Sequence, residues 1–270
     1  MIENKKSQSF LQGALILTVS AIVVKVIGVL FRIPLANILG GVGMSYFSTA
    51  YDLFLPIYSL AVTGLGVAVS RLVSENITKN NKQGVEAVYR ASRKLFLLIG
   101  IIGAAFILCL APYFVQKIYN PAALLSVVAI VPAVVFSCIS AIYRGFYQGQ
   151  QNMIPTAVSQ ILESVIKLVI GILLAVAVTK FLMAQYTATG KILGVSFETK
   201  ELANLYVLRY SAASAILGIS ISTAVGALYI KCVFLKRSRG VLRAGATPVS
   251  YTHLDVYKRQ VIVLPTTPVC

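Results

Sequence analysis

Residues 10–43 read FLQGALILTVSAIVVKVIGVLFRIPLANILGGVG, and this stretch decides the class of fold. From Phe10 to Leu39 the only charged side chains are Lys25 and Arg32. A bilayer core is crossed by about 20 mostly apolar helical residues. The run is long enough to span, and too long for the apolar region of a signal peptide despite Lys5 and Lys6 ahead of it. Gly40, Gly41 and Gly43 then permit a tight turn, and a second apolar run follows near Ser45 to Val73. So short a join predicts an antiparallel pair of spans.

The rest of the chain repeats the pattern. A third span is expected near Leu95 to Tyr119, and a fourth near Ala122 to Tyr143, after the turn signal Asn120-Pro121. A fifth runs from Pro155, a residue suited to a first helical turn, to about Thr179, and a sixth near Leu205 to Leu235. Ser74 to Lys94 reads as an aqueous loop with a short amphipathic helix, and Arg144 to Asn152 as a polar loop. The expected fold is all-α, a polytopic transmembrane helical bundle of about six spans. Composition agrees: 58% of residues are hydrophobic and 12% charged, with a mean hydropathy of +0.85, where a soluble domain spends about a quarter on charge.

The formal charge of +16 comes from basic residues between and at the ends of apolar runs, not from aromatic-interleaved patches. Membrane lipids are therefore the expected partner, and nucleic acid is not. Lys5, Lys6, the cluster from Arg71 to Lys94, Arg144, Lys231, Lys236, Arg237 and Arg239 all fall on one side of a six-span arrangement. The opposite joins are the glycine turn, Lys117 and the mixed segment Lys180 to Glu201. Basic loops stay in the cytoplasm. The expectation is a multi-pass protein of the cytoplasmic membrane with a cytoplasmic N-terminus.

Cys109, Cys138, Cys232 and Cys270 show no ligand spacing, so neither a disulfide framework nor a metal site is expected, and no cofactor is implied. From Val249 to Gln260 the chain reads VSYTHLDVYKRQ, which a self-complementary coding DNA can encode. That string resembles two inverted transposase adapter ends. Residues 241–270 are accordingly expected to be a non-native, disordered tail, and residues 1–240 a transmembrane lobe. The only histidine, His253, falls in that tail. No catalytic residue is nominated, because no nucleophile has a recognisable base.

An ionisable group at bilayer depth costs at least about 2.5–3.5 kcal/mol on insertion scales and usually faces a bundle interior or a wet cavity. Lys25 and Arg32 are two helical turns apart and project from one face. They form either a cationic stripe in a central cavity or snorkelling side chains, Lys25 being the deeper of the two. Asp52 lies near the start of the second span, where it can pair with Arg32 across the turn or serve ion or proton coupling. Glu163 and Lys167, at i and i+4, can neutralise one another or contact substrate from the fifth helix. Pro34, Pro56, Pro112 and Pro132 interrupt apolar segments, as transport helices and passive helices both tolerate. Tyr46, Tyr51, Tyr58, Tyr113 and Tyr119 read as an interfacial aromatic belt.

Several motifs together resemble one family. They are FLQGALIL at residues 10–17, Lys25-Val26-Ile27-Gly28 with Arg32-Ile33-Pro34, GLGVAVSRLVSE at residues 64–75, RGFYQG at residues 144–149 and PTAVSQ at residues 155–160. Over about residues 8–240 the chain is similar to the stage V sporulation protein B and MurJ-like branch of the multidrug/oligosaccharidyl-lipid/polysaccharide (MOP) exporter superfamily. The resemblance implies a two-lobed, MATE-like transporter of which these spans form one lobe, with a C-terminal lobe as the partner. It implies a lipid-linked oligosaccharide substrate such as lipid II, held by its diphosphate on basic cavity residues, with no enzymatic step. Lys25 resembles the basic residue before the family's glycine in the first helix, and Arg32 lies within a position of another. Tyr58 and Ser59 stand where relatives carry paired arginines. Lys25, Arg32 and Lys167 are thus the expected diphosphate ligands, with Asp52 and Glu163 available for ion coupling or charge pairing. An ion-coupled multidrug antiporter of the same superfamily is the alternative. A membrane enzyme is a third reading, without an acidic metal cluster or long catalytic loop to support it.

Overall fold

The computed structural model describes residues 10–197 and 199–238. The expected tail, with His253 and Cys270, and the basic residues Lys5, Lys6 and Arg239 lie outside them. Helix α1 (Phe10–Ser59) passes through a π-helical turn (Leu60–Leu65) into α2 (Gly66–Thr78). Then come α3 (Lys82–Lys117), a short 3-10 turn (Pro121–Ala123), α4 (Leu124–Gly149) and α5 (Ile154–Thr189). A two-residue hairpin of β1 (Lys191–Ile192) and β2 (Val195–Ser196) leads to α6 (Lys200–Ser238).

Helix α1 is two arms. Gly40 takes φ 60° and ψ −171°, a backbone state that only glycine enters without strain. The chain reverses there: the rings of Phe31 and Phe47 are 6.0 Å apart. In an unbroken helix residues at that spacing would be about 24 Å apart. Among the described residues five helical segments are long and apolar enough to cross a membrane. The first of them, Leu11–Thr78, is folded at Gly40, so six crossings result, as hydropathy predicts. The protein is a multi-pass membrane protein.

Local chemistry fixes the other ends. The Asn81 side chain caps α3 by accepting from the Gly84 amide at 2.9 Å. Pro155 occupies the first turn of α5, and Gly190, at φ 65°, ends that helix with its amide on the Tyr186 carbonyl. The breaks are shorter than the sequence suggests. Only Lys79–Asn81 interrupts the segment expected to be an aqueous loop, because its polar residues form the exposed ends of α2 and α3. Likewise α4 continues helically to Gly149, so Arg144 belongs to a helix and is buried, not in a polar loop.

One end of the bundle gathers the start of α1, the α2–α3 and α4–α5 turns and the end of α6. A Cβ on Gly13 would lie 3.1 Å from the side chain of Met153. The other end holds the Gly40 reversal and the α3–α4 link, where Asn120 Nδ2 donates to Thr49 Oγ1 at 3.1 Å. Helix α6 packs along α5 and α4 and forms the centre of the bundle. Of its apolar window 67% is buried, against 11% for α1. The tyrosines divide. Tyr113 and Tyr119 are exposed, but Tyr46 is buried, and Tyr51 and Tyr58 join Phe47 and Phe54 in an inward ladder with ring centroids 5.1–6.0 Å apart.

Candidate functional site

The site is built on the arms of α1, on α4 and on α5. Gly145 and Gly149 are one turn apart on α4 and face α2. A Cβ would lie 2.7 Å from the Gly66 carbonyl oxygen at Gly145 and 2.6 Å from that of Ser70 at Gly149. With α2 pressed against that face, the neighbouring Arg144 reaches the other way, to α5. Its Nε donates to Ser159 Oγ at 3.1 Å and its Nη2 to Glu163 Oε2 at 2.7 Å. Ser159 in turn donates to the Thr156 carbonyl at 2.8 Å. The Arg144 side chain is only 5% exposed and that of Glu163 19%.

Beside this pair is a cavity of about 270 Å³. Lys25 and Tyr58 enter it from the two arms of α1, Arg144 from α4, and Gln160, Glu163 and Lys167 from α5. Its remaining walls are small, at Ala21, Val24 and Ser164. Lys167 Nζ lies 5.7 Å from the ring centroid of Phe31, a cation–π distance. Three cationic side chains and one carboxylate therefore share a chamber between apolar helices, which leaves two formal positive charges in excess. In a medium of low dielectric such an excess attracts anions far more strongly than it would in water.

The structure thus brings together Lys25, Glu163 and Lys167 of the residues expected from sequence. Arg32 and Asp52 do not line this cavity; both are exposed, and no ion pair joins them among the described residues. The ion pair of Glu163 is with Arg144, not with Lys167 one turn along its own helix.

Residues 10–243 match the polysaccharide biosynthesis protein family. The chain belongs to that family. The chain is 33% identical over 204 residues to stage V sporulation protein B of Bacillus subtilis (strain 168), covering 74% of this chain and 38% of that relative. It is 30% identical over 173 residues to the lipid II flippase MurJ of the same organism, covering 60% of this chain and 32% of the relative. The chain therefore spans roughly a third of the length of the curated relatives it matches. No solved structure matches it.

Within this family member, Arg144, Tyr58 and Gln160 are the cavity residues that sequence reasoning misses. The polar run after Arg144 imitates a loop. A signal was present, because Gly145 and Gly149 at helical spacing, interleaved with Phe146 and Tyr147, describe a small-residue packing face that continues the helix. Tyr58 reads as an interfacial tyrosine but lines the cavity beside Arg144, so at that wall the cation comes from α4.

Proposed function

We propose that this protein is a flippase that moves an undecaprenyl-diphosphate-linked oligosaccharide, lipid II or a related cell-wall or polysaccharide precursor, across the cytoplasmic membrane by alternating access. The observation that carries this reading is the cavity in which Lys25, Arg144 and Lys167 outnumber Glu163. A diphosphate diester carries two ionised oxygens, and the chamber has two positive charges in excess. Such a head group would be neutralised at a depth where an unpaired charge is costly. Lys25 is itself exposed at the edge of the bundle, so a lipid could present its head group there while its polyprenyl chain stays in the bilayer. The name of the relative MurJ, a lipid II flippase, supports the same cargo class.

In this proposal the six crossings form one lobe, and a second lobe of the same protein completes the chamber. In this reading the end that bears Arg71, Lys79, Lys82, Arg90, Arg93 and Lys94, and with it the start of α1, faces the cytoplasm, because basic segments stay there. The chamber binds and reorients its cargo without a covalent step. Glu163 and Asp52 are the carboxylates available for ion coupling.

The test is translocation of fluorescent lipid II by the full-length protein in proteoliposomes. Lys25→Ala is expected to lower the rate at least about tenfold, the equivalent of one lost charge-assisted hydrogen bond. Unchanged lipid translocation in that variant, with loss of organic-cation export instead, would contradict the flippase and favour the ion-coupled antiporter.

A further inference from the structure

We infer that Glu163 is a two-position counter-ion, which holds Arg144 while the cavity is empty and passes to Lys167 when an anionic diphosphate takes the guanidinium. This deepens the function proposed above and rests on it. Arg144 is nearly sealed in the bundle, and a guanidinium left there without a partner would be strongly destabilising. Glu163 supplies that partner at 2.7 Å. A carboxylate bonded so closely also occupies donors that a phosphoryl oxygen would use, so it competes with the cargo for the same group.

The carboxylate has somewhere else to go. Lys167 is at i+4 on α5, the spacing at which a glutamate meets a lysine on its own helix. In this structure the Lys167 ammonium sits over the Phe31 ring and not on Glu163. Gly226 of α6 flanks the carboxylate, where even a Cβ would lie 3.3 Å from Oε2, so no side chain confines Glu163 on that side. Exchange of partners keeps Arg144 and Glu163 paired in both states: with each other before binding, while Lys167 rests over Phe31, then Arg144 with phosphate and Glu163 with Lys167. The return of Glu163 to Arg144 helps expel the head group on the far side of the membrane. Affinity is given up for release, as a carrier that must let go of its cargo requires.

The probe is inorganic pyrophosphate, titrated calorimetrically into the purified full-length protein, with lipid II translocation measured in parallel. Glu163→Gln removes the competitor but keeps the shape of the side chain. It is expected to tighten pyrophosphate binding at least about tenfold and to lower both KM and kcat for translocation. Glu163→Asp retains the charge with a shorter reach. Should the glutamine variant fail to fold, the aspartate variant gives the answer, with affinity expected to rise about threefold. Weaker or unchanged affinity in a folded variant overturns the partner exchange alone, because pyrophosphate binding by the wild type still supports the cationic cavity. Absence of pyrophosphate binding in the wild type and the variants alike overturns both this inference and the function beneath it.

Discussion

Two ion pairs of the same chemistry, Lys79 with Glu75 and Arg144 with Glu163, occupy opposite environments. The first lies at the α2–α3 elbow with its side chains 58% and 52% exposed, and it links residues one turn apart on a single stretch of chain. The second joins α4 to α5 inside the bundle at 5% and 19% exposure. Water screens the elbow pair, which leaves it little net energy. The inner pair has given up hydration on both sides, so loss of Glu163 would strand the Arg144 guanidinium. Position, not pairing, separates a charge at the exposed end of the bundle from one that lines its cavity.

The largest effect expected from this contrast is at the inner pair. Glu163→Leu should destabilise the bundle by about 3–5 kcal/mol in reversible unfolding from mixed micelles, because the Arg144 guanidinium is left buried and unpaired. Arg144→Met combined with Glu163→Leu should recover most of that loss yet leave lipid II translocation abolished, which separates the pair's structural part from its part in binding. If the double variant is no more stable than the single one, the inner pair is not an isolated couple and the contrast fails. The smallest effect is at the elbow. Glu75→Ala should change stability by less than about 1 kcal/mol and translocation not at all, in the same two assays.

Hydropathy made the fold legible because apolar runs long enough to span are rare in any other setting, and the spans predicted from residues 10–235 all fall on helices. Their burial was not legible from the same signal. The first arm of α1 exposes Leu11, Leu15, Val19, Ile22, Val26 and Val29, whereas α6 buries Ser211, Ser214, Ser220, Ser222 and Thr223. In a bilayer the outside of a bundle is as apolar as its inside, so small and weakly polar residues mark the centre. Ser220 shows how: its hydroxyl donates across to the Ala129 carbonyl of α4 at 2.7 Å.

The site was legible in part for a related reason. Lys25, Glu163 and Lys167 stand out as ionisable groups within apolar runs, and depth alone nominated them. Depth gives no helix rotation, and so it nominated Arg32 and Asp52 equally, although neither lines the cavity. Arg144 was hidden by the opposite error. Glycines and glutamines after it imitate a loop, while the glycines serve close contact with α2. The partner exchange at Glu163 depends on three helices meeting, which no single run of sequence displays.

A cysteine placed at Lys25 interrogates the chamber most directly. In full-length protein otherwise free of cysteine, Lys25→Cys is treated in membranes with a charged, membrane-impermeant thiol reagent, and Val26→Cys serves as the reference because Val26 is 54% exposed but does not line the cavity. Rapid modification at position 25, slowed by pyrophosphate, is expected, with little at position 26. Equal and slow reaction at both positions, indifferent to pyrophosphate, would mean that Lys25 faces acyl chains and would contradict the cationic chamber.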